Sequence, residues 1–152
     1  MSTIICKQVA NEMELKQAFE VRKLVFIEEQ HIPEDEEWDG LDDSAVQFVA
    51  KNEDIVIGTA RVRFPALDSA KIERMAVLKA FRKQGAGKEL LHNIEIFLKQ
   101  KQIPKAVLHA QWTAIPFYRK CGFVQTGKPF YEAEIKHIKM QKILGLSGGN
   151  VS

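Results

Sequence analysis

The feature that most constrains this chain is the run from Lys71 to Leu91, KIERMAVLKAFRKQGAGKELL. An apolar stretch suited to a strand enters a turn holding Gly85 and Gly87, and an amphipathic helical pattern follows at once. Strand, glycine turn and helix in that order point to an α/β layer, since each element has an apolar face to cover. The turn offers backbone N–H groups at a helix start, where negative charge is favoured. Arg82, Lys83 and Lys88 add formal positive charge at the same place. The chemical reading is a seat for a diphosphate.

Spacing excludes two nucleotide motifs. A Walker A loop requires Gly-x-x-x-x-Gly-Lys-Ser/Thr, but Arg82 stands at the first glycine and Glu89 follows Gly87-Lys88. The hydroxyl that would hold magnesium is therefore missing. A dinucleotide fingerprint needs a third glycine where Leu90 stands.

What remains, Arg82-x-x-Gly85-x-Gly87, resembles the acetyl-CoA pyrophosphate loop of the GNAT superfamily of N-acyltransferases. A second element, Ala114-x-x-x-Tyr118-x-x-x-Gly122-Phe123, resembles the downstream GNAT motif Ala-x-x-x-Tyr-x-x-x-Gly-Phe. Two independent motifs in the family's order carry the resemblance. Arg22-x-x-Val25-Phe26-x-Glu28-Glu29-Gln30 and Glu132-Ala-Glu-Ile-Lys-His137-Ile-x-Met140 are similar to signatures of a subgroup of small bacterial GNATs. The first of these is also similar to acyl-homoserine-lactone synthases, which share the architecture; the Arg82 loop and the Tyr118 motif favour an ordinary GNAT.

The pattern elsewhere fits that fold. Residues 2–9 suit a first strand; Asn11 is placed to cap a helix, with Glu14 at capping-box spacing. Leu15, Ala18, Phe19, Val25 and Phe26 mark an apolar face, and Arg22 falls on it. A charge there needs a partner: either a salt bridge or an arginine aimed into a substrate cleft. Residues 28–43 hold nine carboxylates and no Lys or Arg, the composition of a solvated loop or of a negative rim that attracts a cationic amine. Val46–Ala50 and Ile55–Arg63 read as a hairpin turning at Asn52-Glu53-Asp54, with Pro65 breaking the second strand. The strand near 71–77 and Ala106–Ala110 form a parallel pair, joined by a helix with Leu90, Leu91, Ile94, Phe97 and Leu98 on one face. A short helix over 114–121 ends at Gly122; residues 123–125 and 134–143 close the sheet, and 146–152 form a frayed tail. The expected order is β-α-β-β-β-α-β-α-β-β: an α/β (α+β) single domain over 1–145. Its mixed, mostly antiparallel sheet has six to seven strands, a splayed parallel pair and about four flanking helices.

The resemblance implies acetyl-CoA as cosubstrate. The pantetheine arm would pair with backbone groups of Met75, Ala76 and Val77 as an added strand. The diphosphate would lie on Arg82, Lys83, Gln84, Gly85, Ala86, Gly87 and Lys88, with Ala114 and Phe117 also on the cofactor side. Tyr118 matches the family position whose phenol protonates the departing sulfur. Glu73, on the strand before the loop, is the candidate general base, with a water or His137 relay as the alternative. Arg22, Glu29, Gln30, His109 and His137 are substrate-side candidates. The expected activity is acetyl transfer to a primary amine of a small molecule or peptide, by direct attack in a ternary complex; the alternative is a non-catalytic acyl-CoA-binding sensor or docking module.

A formal net charge of +2 gives no bulk case for nucleic acid. No apolar run approaches the roughly 20 residues that span a bilayer, and the N-terminus lacks a signal pattern, so a cytoplasmic protein is expected. Cys6 and Cys121 show neither metal spacing nor a disulfide framework, and the four histidines are scattered, so no metal is expected. Cys121 against a helix end reads as packing rather than as an acyl carrier. Exposed edge strands leave room for pairing into a homodimer.

Overall fold

The computed structural model describes residues 3–145; the expected tail, 146–152, lies outside the described residues. After β1 (Ile4–Gln8), helix α1 (Glu12–Arg22) begins at Asn11, whose Oδ1 accepts the Glu14 N–H at 2.9 Å. The Glu14 carboxylate accepts from Ala10 N–H at 2.8 Å, one residue earlier than a capping box uses, and binds Lys7 and Lys51 at 2.6 and 3.2 Å. A π-helical segment over Lys23–Glu29 continues α1 and keeps Val25 and Phe26 buried. The acidic segment, expected as a loop, contains a one-turn helix α2 (Glu34–Glu37) after Pro33. Its carboxylates stand in a helix first turn, where the dipole favours them.

Strands β2 (Val46–Asn52) and β3 (Ile55–Ala66) form the expected hairpin, with Glu53 at φ 57° in its turn. β3 runs through Pro65 instead of breaking there. Its ladder with β2 runs from Asn52↔Ile55 to Val46↔Val62, so the missing proline N–H takes nothing from it. β4 (Ser69–Val77) follows, then α3 (Ala86–Gln100), β5 (Lys105–Gln111), α4 (Ile115–Lys120), β6 (Val124–Glu132) and β7 (Ile135–Ile143). Seven strands in the order β1-β2-β3-β4-β5-β7-β6 make one mixed sheet. β4 and β5 are parallel, and the other assigned ladders are antiparallel.

The chain divides into two compact units, Met1–Val62 with Arg74–Ile94 and Arg63–Glu73 with Glu95–Ser152. In the first, Ala18, Val21, Val25 and Phe26 pack with Val49, Val56 and Ala76. Gly58 lies close to β4: a Cβ there would stand 3.2 Å from Ala76 O. In the second, alternate β5 residues Ala106, Leu108 and Ala110 are buried beside Ile138 and Met140 of β7. The parallel ladder runs from Ser69↔Lys105 to Ile72↔Leu108, and two residues beyond it Arg74 takes φ 55°.

Helix α4 ends in a Schellman arrangement. Phe123 N–H bonds Tyr118 O at 3.1 Å and Gly122 N–H bonds Arg119 O at 3.0 Å, with Gly122 at φ 97°. The Tyr118 and Phe123 rings, 6.0 Å apart, supply the accompanying apolar contact. β6 is longer than expected: it starts at Val124 but continues past Gly127 and Pro129 to Glu132. Gly127 at φ 79° makes the irregularity between Thr126 and Phe130 that lets the strand resume pairing. Among the described residues no helix is long and apolar enough to cross a membrane.

Candidate functional site

In the first unit, Leu78 N–H donates to Ile57 O at 2.8 Å, and a 3-10 turn over Lys79–Phe81 leads to the glycine loop. Arg82 is pinned on both sides. Its Nε donates to Val77 O at 2.8 Å, and its two terminal nitrogens hold the Glu29 carboxylate at 2.7 Å each. That bidentate pairing holds Glu29 below the usual carboxylate range and pushes Arg82 up. Lys83 at φ 66° and Gly85 at φ 91° are left-handed, the backbone turn from which concave anion nests are made. A Cβ on Gly85 would meet nothing within 4 Å, so its glycine serves conformation rather than space. Lys83, Gln84 and Lys88 are exposed, while Ala86 is buried at the start of α3. On β4, Met75 and Val77 are half-buried and Ala76 is buried.

The acidic segment is only partly a free surface. Glu28, Glu34, Asp35, Glu36 and Asp43 are exposed, but Glu29, Glu37, Asp39 and Asp42 are bound to arginines. Arg22, 0% exposed, donates to Glu37 at 2.7 Å and Asp42 at 2.6 Å, and lies 4.8 Å over the Trp38 ring. Of its two expected readings, the salt bridge is the one seen. Arg61, also fully buried, meets Asp39 at 2.6 Å and Asp42 at 3.1 Å; Arg74 meets Glu37 at 3.1 Å and Asp39 at 3.2 Å. Burial raises the Glu37 carboxyl against the pull of these arginines. Burial also pushes Asp42 up, yet hydrogen bonds from Arg22, Arg61 and Gln47 outweigh it and hold the group low. Hydrogen bonds from Arg61 hold Asp39 well below its ordinary value. Gln30 ends the π-helical segment through its N–H, bonded to Val25 O at 3.0 Å.

In the second unit, Glu73 accepts from Arg63 at 2.7 and 3.1 Å and lies 3.1 Å from Lys71. The expected base is thus a carboxylate between two cations. On β6 and β7 the register sets Phe130 opposite His137 and Glu132 opposite Ile135, while β5 sets Gln111 opposite His137. Strand alternation then puts His109, Phe130, Glu132 and His137 on one face. His109 Nδ1 lies 3.1 Å from Glu132 Oε2, and His137 Nε2 lies 3.8 Å from Glu132 Oε1. The hydrogen bond from His109 is the main reason the Glu132 carboxyl is held below its ordinary range. The Phe130 ring stands 4.9 Å edge-on to His109 and 5.9 Å stacked on His137.

Tyr118 sits on α4 between the rings of Phe117 and Phe123, at 5.1 and 6.0 Å. Burial pushes its phenol well above the ordinary range, so it keeps its proton. Ala114 ends the 3-10 turn before α4, and Ala114 and Phe117 are both half-buried. Sequence reasoning missed three participants: Arg61, Arg74 and Glu132. For Glu132 a signal existed, since His137 lies five residues on and a two-residue turn would set both on one face. Among the described residues no group of three His, Cys, Asp or Glu side chains is arranged to hold a metal ion.

Residues 9–144 match the model of the acetyltransferase (GNAT) domain. The uncharacterized protein YyaT of Bacillus subtilis is 35% identical over 139 residues, covering 90% of this chain and 93% of that protein. A Lactobacillus plantarum protein crystallised as a candidate N-acetyltransferase is 29% identical, with TM-score 0.87 over 93% of this chain and 99% of its own. A GNAT family acetyltransferase from Elizabethkingia anophelis, crystallised with acetyl-CoA bound, shares the fold at TM-score 0.65 and 20% identity, covering 93% and 98%. The chain belongs to the GNAT acetyltransferase family.

Proposed function

We propose that this protein transfers the acetyl group of acetyl-CoA to a primary amine of a small molecule or peptide, by direct attack in a ternary complex. The observation that carries the reading is the loop that opens α3, with Lys83 and Gly85 left-handed and the Arg82 fork held beside it. Backbone N–H groups from Lys83 to Lys88 receive the diphosphate, with Arg82, Gln84 and Gly85 shaping the seat. The acetyl-CoA seen in the Elizabethkingia relative supports the choice of cofactor. In the first unit, Met75, Ala76 and Val77 offer backbone groups to the pantetheine arm; in the second, Ala114 and Phe117 are assigned to the cofactor by their motif. Arg22, tied to Glu37 and Asp42, serves the fold, and Glu29 serves Arg82.

A neutral amine attacks the thioester carbonyl, an oxyanion forms and a thiolate leaves. Burial keeps the Tyr118 phenol protonated, as a donor to that sulfur must be, while making it a weaker acid than a free phenol; the donor role is assigned to Tyr118. The general base is Glu73 through water, with Arg63 and Lys71 fixing its carboxylate, or else a His137 relay.

Calorimetric titration with acetyl-CoA tests the cofactor seat, with an Arg82→Ala/Gly85→Glu double variant as control. Binding of about micromolar strength that the variant loses is the expected result. No binding to folded wild-type protein sinks the proposal. Tyr118→Phe should lower kcat about 10–100-fold and leave acetyl-CoA affinity unchanged; an unchanged kcat removes its assignment.

A further inference from the structure

Glu132 and His137 face each other as two acceptors. His137 Nδ1 lies 2.7 Å from Ile135 O, and a carbonyl only accepts, so Nδ1 carries the hydrogen. When the ring is neutral, its Nε2 lone pair faces Glu132 Oε1 at 3.8 Å, too long for a direct hydrogen bond. His109 donates through Nδ1 to the other oxygen of the same carboxylate. Two acceptors in that relation call for a donor between them. Lys71, whose charge also reaches Glu132, and Arg63 are bound to Glu73, and Lys136 lies over the Trp112 ring at 3.9 Å, so none of the three bridges Glu132 and His137. The Glu132 side chain is 49% exposed, so a solute can reach it, and the Phe130 ring contacts both imidazoles. A cation that donates N–H groups and tolerates an aromatic neighbour matches this chemistry.

We infer that Glu132, His109 and His137 form the seat of the acceptor, a primary ammonium group, with Glu132 as its anchor and His137 Nε2 as its first proton acceptor. The reaction step rests on the transferase reading; the seat itself stands on the cluster. The ammonium donates to Glu132 and to His137. One N–H bond breaks, and the proton passes to Nε2, leaving a neutral amine and an imidazolium. The amine lone pair forms the C–N bond as the thioester C–S bond breaks. The nitrogen's surplus proton ends on the sulfur through Tyr118, and the imidazolium returns its own to solvent. Of the two bases named above this selects the His137 relay, and Glu73 takes a positioning role, holding Arg63 and Lys71 away from the incoming cation.

The probe is n-butylammonium, with n-butanol as the neutral isostere, and the readout is the imidazole Cε1–H resonances of His109 and His137. The amine should move both resonances and the alcohol neither. Glu132→Gln should weaken that titration about 10–100-fold, the loss of a charge-assisted hydrogen bond. In turnover the same variant should raise the amine KM by a similar factor and leave the acetyl-CoA KM in place. His109→Asn should give a smaller rise in amine KM. Silent imidazoles, an equal response to butanol, or an unaltered amine titration in Glu132→Gln overturn the inference. Calorimetry with acetyl-CoA keeps the two readings apart. Cofactor binding and turnover with silent imidazoles leave the transferase and remove this seat. Imidazole shifts in a protein that binds no acetyl-CoA do the reverse.

Discussion

Replacing Arg22 by methionine separates a structural arginine from a substrate-binding one. Three arginines, 22, 61 and 74, are interleaved with three carboxylates, Glu37, Asp39 and Asp42. Methionine keeps most of the aliphatic bulk but leaves three negative groups with two positive ones. Glu37, 2% exposed, loses its 2.7 Å donor and keeps Arg74 at 3.1 Å. Breaking a buried pair from one side costs about 3–5 kcal/mol. Loss of the cation over the Trp38 ring places Arg22→Met toward the upper end of that range. At about 2–4 °C per kcal/mol for a chain of this size, Tm should fall by roughly 6–20 °C. Urea and thermal melts followed by circular dichroism read this directly.

The deficit should also depend on pH. Burial already raises the Glu37 carboxyl, and removing Arg22 raises it further. The folded state then binds that proton more tightly than the unfolded state, so acidification favours folding and alkali opposes it. The variant should recover part of its loss as pH falls from 8 toward 5, and Glu37→Gln in the Arg22→Met background should recover part of it at neutral pH. A variant with wild-type Tm and a raised amine KM would refute the reasoning and return Arg22 to the substrate.

Two further outcomes are expected. Glu14→Gln should cost roughly 1–3 kcal/mol at neutral pH, discounted because Lys7 and Lys51 are partly solvated. Hydrogen bonds from Lys7 and Ala10 lower that carboxyl to about 2, so the wild-type advantage is present above pH 4.5 and vanishes as pH falls toward 2; urea melts across that window would show it. Gly85→Ala meets no steric obstacle but must hold a left-handed backbone, so acetyl-CoA affinity should fall by a few-fold, about 1 kcal/mol, in calorimetry. Unchanged affinity would mean that the loop does not need that geometry.

The fold was legible wherever one local cause dominated. Asn11 announced α1, Gly122 announced the end of α4, and the 3.6-residue period of Leu90, Leu91, Ile94 and Leu98 announced α3. Where local chemistry misleads, the reading failed. Gly127 and Pro129 disguised the middle of β6, because a bulge absorbs residues that a regular ladder would reject. The turn into β7 was harder still. Ala133 at φ 50° and Glu134 at φ 63° adopt left-handed angles with neither glycine nor asparagine to signal them. That turn sets the register joining Glu132 to His137, which in the sequence is signalled by their five-residue separation alone. The acidic segment shows a different limit. Its counter-ions, Arg22, Arg61 and Arg74, lie on α1, β3 and β4, so its charge balance is a long-range fact that composition along the chain does not contain.

The π-helical segment Lys23–Glu29 has a consequence for chain length. Its wider winding, with Gln30 N–H reaching back to Val25 O and Ile32 N–H to Phe26 O, accommodates an extra residue inside a continuous helix. A chain one residue shorter between Phe26 and Glu29 could wind as an ordinary α-helix with its upstream apolar stripe unchanged. Because one wide turn carries about one residue more than an α-helical turn, everything downstream would keep nearly the same direction, and Glu29 would still face Arg82. A deletion that the wide winding did not absorb would instead turn Glu29 by about 100° and release the loop arginine to an anion, with no substitution at either partner. Calorimetry of such a length variant, set beside a Glu29→Gln protein, would reveal whether spacing alone can set the strength of the cofactor seat.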